Sequence, residues 1–400
     1  MESVAANAQA HGDGLIIETP TALDEFLASL PPPGPQRRCA IDTEADSLHS
    51  YREKLCLIQF SCADSHAIID PLRINDLSGL LKFLQESEVW MHGADFDMSL
   101  FRRTFDTVPS RVLDTQVAAR LCGHRQFGLA HLVQEVFGVS LSKHSQRANW
   151  GRRPLAPQMV EYALNDVRYI LPLAERFLAR LAQIGRLEWF EQSCTAAREL
   201  VLQRNPPDSE EAWRITGWGN LQPRGLAALR AFWEWRNREA ERLDRPAFKV
   251  LNNEPLLEMA RVFQEGGTPE LAARFPYPAQ RRFQQAVESI RKQSPEQWPK
   301  RRLSKKAPKL PEAEPRFDHL RAHRDKIASS LDIEGSLIAP RGLLEEIAQD
   351  ANAATHLLPW QRDLMEQALG NLPPLGTRFQ ARKASRKPTD TNGGEAGGGA

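Results

Sequence analysis

Residues 39–69 read CAIDTEADSLHSYREKLCLIQFSCADSHAII, and their pattern decides the fold. Three short apolar runs with strand character lie in it, Cys39–Thr43, Leu55–Cys62 and Ala67–Ile69. Short charged or polar segments separate them, Ser50–Lys54 and Ala63–Ser65. Adjacent strands joined by short turns predict an antiparallel meander. Upstream, Leu15–Ile17 opens a further strand. Thr21 with Asp24 then has the form of a capping box ahead of the helical spacing of Leu23, Phe26, Leu27 and Leu30, and Pro31–Pro35 ends that helix. Downstream, helical patterns alternate with strand-like pieces at Val89–Met91 and Val112–Leu113. The expected fold is therefore mixed α/β, with helices packed over the strands. Helical patterns dominate from about Thr115. One runs from Pro157 to Leu181, and Pro172 inside it predicts a kink or break.

Three stretches in this frame place acids on inward faces. In Ile41-Asp42-Thr43-Glu44, side chains at i and i+2 of a strand share a face, so Asp42 and Glu44 project together. Neighbouring carboxylates repel and are costly to desolvate. A hard divalent cation such as Mg²⁺ resolves both problems; a strand end whose acids face water is the plainer alternative. In His92-Gly93-Ala94-Asp95-Phe96-Asp97-Met98, Asp95 sits where an N-cap belongs. Asp97 aligns at i,i+4 spacing with Phe101 and then Phe105, which points it along the apolar face and makes it the functional candidate. In the third stretch, Met159, Tyr162, Ala163, Asp166 and Ile170 follow one helical stripe, with Tyr162 and Asp166 four apart. Alone, a tyrosine and an aspartate on a helix are ordinary packing and surface. Together the stretches give four acids and a tyrosine on the inner sides of their elements.

These residues resemble a known family. IDTEAD (41–46), HGADFDM (92–98) and YALNDVRYI (162–170) look like the three exonuclease motifs of DEDD-type 3′→5′ exonucleases, in the subclass with tyrosine in the last motif. LCLIQFS, LDTQVAARLCG, GLAHLVQEVFGVSLSK and NWGRRPL are similar to bacterial ribonuclease D, and the likeness covers about residues 15–200. The stretch from ITGWGN to LLEMAR (215–261) resembles the HRDC module that follows the nuclease domain in that family. FDHLRAHRDKIASSLDI and LPWQRDLM look like a second, divergent copy. The resemblance implies an α/β ribonuclease H-like exonuclease domain, a mixed sheet with packed helices, over 14–205. Two small all-α HRDC-type domains would follow, at 208–293 and 316–375, joined by a basic linker at 294–315. Composition marks 1–13 as a disordered lead and 378–400 as a disordered tail.

The family likeness also implies chemistry: removal of nucleoside 5′-monophosphates from RNA 3′ ends, with two Mg²⁺ or Mn²⁺ ions. Asp42 would bridge both ions. Glu44 and Asp166 would complete the ion that binds the attacking water, and Asp97 would serve the second. Tyr162 would orient that water; with an ordinary pKa of about 10, positioning suits it better than general-base work. The implied substrates are tRNA precursors and other small structured RNAs. A DNA 3′→5′ exonuclease and a catalytically inert RNA-binding scaffold are the rivals. The presence of all four acids speaks against the scaffold, and the HRDC arrangement favours RNA.

Composition sets outer bounds. A length of 400 residues predicts two or three domains. A net charge of +1 excludes an overall basic coat, so any nucleic-acid surface is a local patch. No apolar run approaches the roughly 20 residues of a membrane helix, and the start MESVAANAQAHGDG has no apolar signal region. Five cysteines without a CxxC pair predict free thiols in a reducing cytoplasm. No protein partner is evident, and a monomer is expected. Several features have two readings. Lys143 is a phosphate contact or an exposed lysine, and Arg152-Arg153 line the cleft or hold a loop. His319 and His323 have the i,i+4 spacing of zinc-binding helices, but no Glu follows His319, which favours a plain helix surface. Trp213, Trp218, Trp233 and Trp235 are core anchors or base-stacking platforms. The run Arg291–Lys309 is a solvated connector or a phosphate-steering segment.

Overall fold

A computed structural model describes residues 8–11, 14–34, 37–205, 210–300, 310 and 313–373. The tail expected over 378–400 and residues 301–309 of the basic run lie outside them. The chain divides into two compact units after Ser304.

The described part of the first unit opens with β1 (Ala8–His11) and β2 (Gly14–Ile17), which pair antiparallel. Ala8–His11, which composition places in a disordered lead, instead form the edge strand of the sheet, because the backbone of β2 offers them a ladder. Helix α1 (Pro20–Ser29) is capped by Thr19, whose hydroxyl accepts from Ala22 N–H at 3.2 Å. The cap thus falls two residues before the expected Thr21, and Pro20 occupies the first helical position, where a missing N–H costs nothing.

The meander follows as expected. β3 (Arg38–Ala45), β4 (Leu55–Cys62) and β5 (Ser65–Ile69) pair antiparallel in turn. Then come α2 (Ser78–Gln85), β6 (Glu88–Met91), α3 (Asp95–Phe105), β7 (Arg111–Asp114), α4 (Thr115–Leu121) and α5 (Leu129–Phe137). Strands β6 and β7 add parallel to β3, and β2 adds parallel to β5. The sheet order is β1-β2-β5-β4-β3-β6-β7. Every residue of central β4 is buried, as helices cover both faces. One face packs Ile41, Ile58, Phe60 and Ile69 against Leu23, Phe26, Leu80, Phe83 and Phe101. The opposite face packs Ile16, Leu57 and Ile68 against α6 (Pro157–Arg168) and Trp150. The predicted break is present: α6 ends at Arg168 and α7 (Ile170–Gln183) begins after Tyr169. Pro172 has no N–H for the Arg168 carbonyl and its ring would clash there. Helix α8 (Leu187–Gln203) closes the nuclease part.

The loop before α6 is pinned by Arg153. Its guanidinium donates to both oxygens of buried Asp70, to Trp150 O at 2.7 Å and to Cys56 O at 2.9 Å. Of the two earlier readings for Arg153, the loop-holding one is correct, while Arg152 is exposed. Removing one partner of a buried pair strands the other charge. Arg153→Ala or Asp70→Ala is therefore expected to destabilise the protein by about 3–5 kcal/mol in chemical denaturation; a loss below about 1 kcal/mol, the range of an exposed pair, would contradict this role.

The helical part of the first unit holds α9 (Pro223–Arg242), α10 (Ala247–Val250), α11 (Asn253–Gln264) and α12 (Tyr277–Arg291). Phe232, Trp235, Leu256, Phe263 and Phe283 form its core. Trp213 and Trp235 are buried in that core, and Trp218, Trp233 and Trp298 pack against it, so packing accounts for these tryptophans. Since Trp298 belongs to this core, the connector begins later than residue 294. The second unit holds α13 (Ala313–Leu331), α14 (Gly335–Ile338), α15 (Arg341–Gln349) and α16 (Pro359–Gly370). Its first described helix starts at Ala313, ahead of the expected 316. His319 and His323 donate Nε2–H to Ala368 O (3.2 Å) and Leu364 O (3.1 Å), joining α13 to α16. Their spacing serves helix packing.

Candidate metal centre

Asp42 and Glu44 leave β3 on the face covered by α6, and a register shift follows directly after Glu44. Such a bulge ends regular pairing and re-aims the strand. From α6, Tyr162 and Asp166 come down one turn apart onto the same place, held by buried Val160, Ala163, Leu164 and Val167. Carboxylate oxygens of Asp42, Glu44 and Asp166 lie within 4.8 Å of one another. Asp97 belongs to the first turn of α3, is only 5% exposed and accepts a short hydrogen bond from the Thr43 hydroxyl. It stands beside the trio rather than in it, close enough to raise Asp42.

The turn that presents Asp97 is built by a residue the sequence reading passed over. Asp114, at the end of β7, accepts from Gly93 N–H and Ala94 N–H at 2.9 Å each and caps α4 through Gln116 N–H at 2.7 Å. Gly93 has φ of +75°, and a Cβ there would lie 3.3 Å from the Gln116 amide, so the turn needs glycine. Asp95 is not the cap. It is exposed and pairs bidentately with Arg204 from the end of α8, at 2.7 and 3.2 Å. Asp46, the last acid of the first motif, closes its own loop by accepting from Lys54 N–H (2.7 Å) and the Ser50 hydroxyl (2.6 Å).

The electrostatics are those of a cation site. Burial pushes Asp42 well above the carboxylate range, and Asp97, Asp166 and Glu44 push it further. Burial, then Asp166 and Asp97, raise Glu44 to about 9. Burial raises Asp97 to about 7 against the pull of its Thr43 bond. Burial likewise raises Asp166 to about 7, opposed by a hydrogen bond from Tyr162. Tyr162 is itself raised, by burial first and then by the acids. Among the described residues no Lys or Arg pairs with any of the four acids. Four crowded carboxylates without histidine or cysteine form an all-oxygen donor set, which suits Mg²⁺ or Mn²⁺. Lys143 is exposed on the loop before α6.

A mixed sheet with this acid cluster, followed by a small helical module, defines a nuclease class, and comparison with known proteins agrees. The family model described as 3′-5′ exonuclease matches residues 15–182, and the one described as HRDC domain matches 225–264. The chain is 34% identical to Ribonuclease D of Cronobacter turicensis over 231 residues, spanning 56% of this chain and 62% of that protein, just under two thirds of its length. It is 32% identical to Ribonuclease D of Xanthomonas oryzae over 251 residues, 61% of this chain and 67% of that protein. The crystal structure of Escherichia coli RNase D, described as an exoribonuclease involved in structured RNA processing, superposes with a TM-score of 0.66 at 27% identity. That superposition covers 89% of this chain and 97% of the other. The chain belongs to the ribonuclease D family.

Proposed function

We propose that this protein is a 3′→5′ exoribonuclease that removes nucleoside 5′-monophosphates from RNA, acting in the 3′ maturation of tRNA precursors and on other small structured RNAs. The observation that carries the reading is the convergence of Asp42, Glu44 and Asp166 with Tyr162 against Asp166. Asp42 would touch both divalent cations, Glu44 and Asp166 would hold the first, and Asp97 the second. Bound Mg²⁺ or Mn²⁺ supplies Lewis-acid stabilisation of the entering and leaving oxygens. The Tyr162 hydroxyl gives its hydrogen to Asp166, which leaves its oxygen to accept from the attacking water and aim it at the last phosphodiester. A phenol with an ordinary pKa of about 10 is neutral near neutral pH, so in this reading Tyr162 positions the water and does not deprotonate it.

The helical modules supply RNA grip in this reading, and residues 313–373 are a second HRDC-like copy. Both modules run long helix, one-turn helix, helix, helix. In both, an arginine of the long helix donates to the carbonyl that ends the one-turn helix fifteen residues on: Arg236 to Leu251 O at 3.0 Å, Arg324 to Ala339 O at 2.9 Å. The reading takes the protein as a cytoplasmic monomer. No described helix is long and apolar enough to cross a membrane.

The test is incubation with a 3′-extended tRNA and a matched single-stranded DNA, with and without Mg²⁺. Stepwise, Mg²⁺-dependent shortening of the RNA alone is expected. Shortening of the DNA instead would make it a DNA exonuclease, and binding without shortening would make it a scaffold.

The acids also predict a pH dependence. Their folded pKa values lie above those of the unfolded chain, so the folded protein holds extra protons in between. Metal-free stability should therefore fall as pH rises from about 4 to about 9. At lower pH a cation must displace protons from Asp97 and Asp166. The rise in Tm on adding Mg²⁺ should thus be larger at about pH 8 than at about pH 6. Equal rises at both would contradict this account of the cluster.

A further inference from the structure

Gln59 sits in the middle of β4 with no exposed area, and neither its Nε2 nor its Oε1 has a hydrogen-bond partner. A buried amide unpaired at both ends is expensive. The neighbours Leu57, Ile58 and Phe60 are apolar and fully buried, so a leucine or methionine at 59 would suit the strand better. The register shows what stands beside the amide. Gln59 pairs with Asp42 on β3 and with Ile68 on β5. Directly opposed residues of an antiparallel pair project to one face, with Cβ atoms roughly 4.5–5.5 Å apart. The amide therefore lies on the face covered by α6, next to the acid that the proposed reading places on both ions.

We infer that Gln59 is a positioning residue for Asp42: its Nε2–H donates to the Asp42 carboxylate when the centre holds its cations. The inference rests on the reading of the acids as a metal centre. A ligating carboxylate needs a donor to fix its orientation. The side chains acting on Asp42 are Asp97, Asp166 and Glu44, acids that repel its carboxylate, and the Thr43 backbone gives it one hydrogen bond, so a side-chain donor is still lacking. The chemistry of the donor matters. Lysine or arginine at 59 would orient Asp42 but repel the cations. A neutral amide orients it and leaves the site's negative charge intact.

The test compares full-length wild type, Gln59→Met, Gln59→Leu and Asp42→Asn. Two quantities are read on each: metal-free Tm and Mn²⁺ affinity by calorimetry. Gln59→Met keeps the length of the side chain without its polar atoms. It should hold or raise the metal-free Tm while weakening Mn²⁺ binding by about 10–100-fold, the usual effect of losing an outer partner of a ligand. Gln59→Leu should do the same and carries the test if the methionine variant does not fold. A lowered Tm with Mn²⁺ affinity within about twofold of wild type would mean a merely structural amide and would overturn the inference. Asp42→Asn separates the two layers. If it too binds Mn²⁺ like wild type, the metal-centre reading itself fails; if it loses Mn²⁺ while the Gln59 variants do not, only the role of Gln59 fails.

Discussion

The Asp42→Asn protein is expected to fold and to hydrolyse RNA at least about 10³-fold more slowly than wild type, at or beyond what removal of one strong transition-state donor costs. The amide is the same shape as the carboxylate, so strand β3 and its pairing with β4 keep their register. What disappears is the charge in the middle of the cluster, on the acid that Asp97, Asp166 and Glu44 all perturb. Two measurements belong together here. Turnover should collapse, and metal-free Tm at neutral pH should rise, because one of the mutually repelling acids is gone. The rise in Tm that Mg²⁺ gives the wild type should shrink with the turnover. A variant with near-normal turnover would remove Asp42 from the centre. A variant that merely unfolds would show a lowered Tm instead.

The parts of the fold that were legible in the sequence are those encoded by local periodicity. The meander was readable because β3, β4 and β5 are successive apolar runs with short polar turns. The broken helix was readable because Pro172 acts on its own neighbours. The convergence on α6 was readable because Tyr162 and Asp166 are one turn apart on a stripe that also carries buried Ala163. The parts that were not legible depend on partners far along the chain. Asp114 works on a turn about twenty residues earlier, and Arg153 finds Asp70 across 83 residues. Thr43, which sits between two site acids, turns to the other side of the strand and meets Asp97 there. The strand role of Ala8–His11 lies in backbone hydrogen bonds, which small polar composition does not reveal.

Asp95 and Asp97 show the same division, and they carry the second large prediction. Spacing separated them correctly into an inner and an outer acid, but it gave the outer one the wrong duty. Asp95 has two-thirds of its side chain exposed and holds Arg204, 109 residues away, a pairing no local pattern encodes. No N-cap side chain closes this helix start; Asp114 instead holds the turn before it through the N–H groups of Gly93 and Ala94. Asp95→Asn should therefore leave turnover near wild type: an exposed ion pair contributes little, and the amide can still accept a hydrogen bond from Arg204. Asp97→Asn should lower turnover by at least about 10²–10³-fold, on the scale of a lost electrostatic contact to the transition state. It should also blunt the Mg²⁺ effect on Tm, because Asp97 is buried, raised by that burial and adjacent to Asp42. Its Thr43 bond survives in the asparagine variant, since an amide oxygen also accepts from a hydroxyl, so the loss would report charge and not a collapsed turn. If Asp95→Asn loses more turnover than Asp97→Asn, the inward stripe of α3 is not what presents the fourth acid, and the assignment of the second cation to it fails.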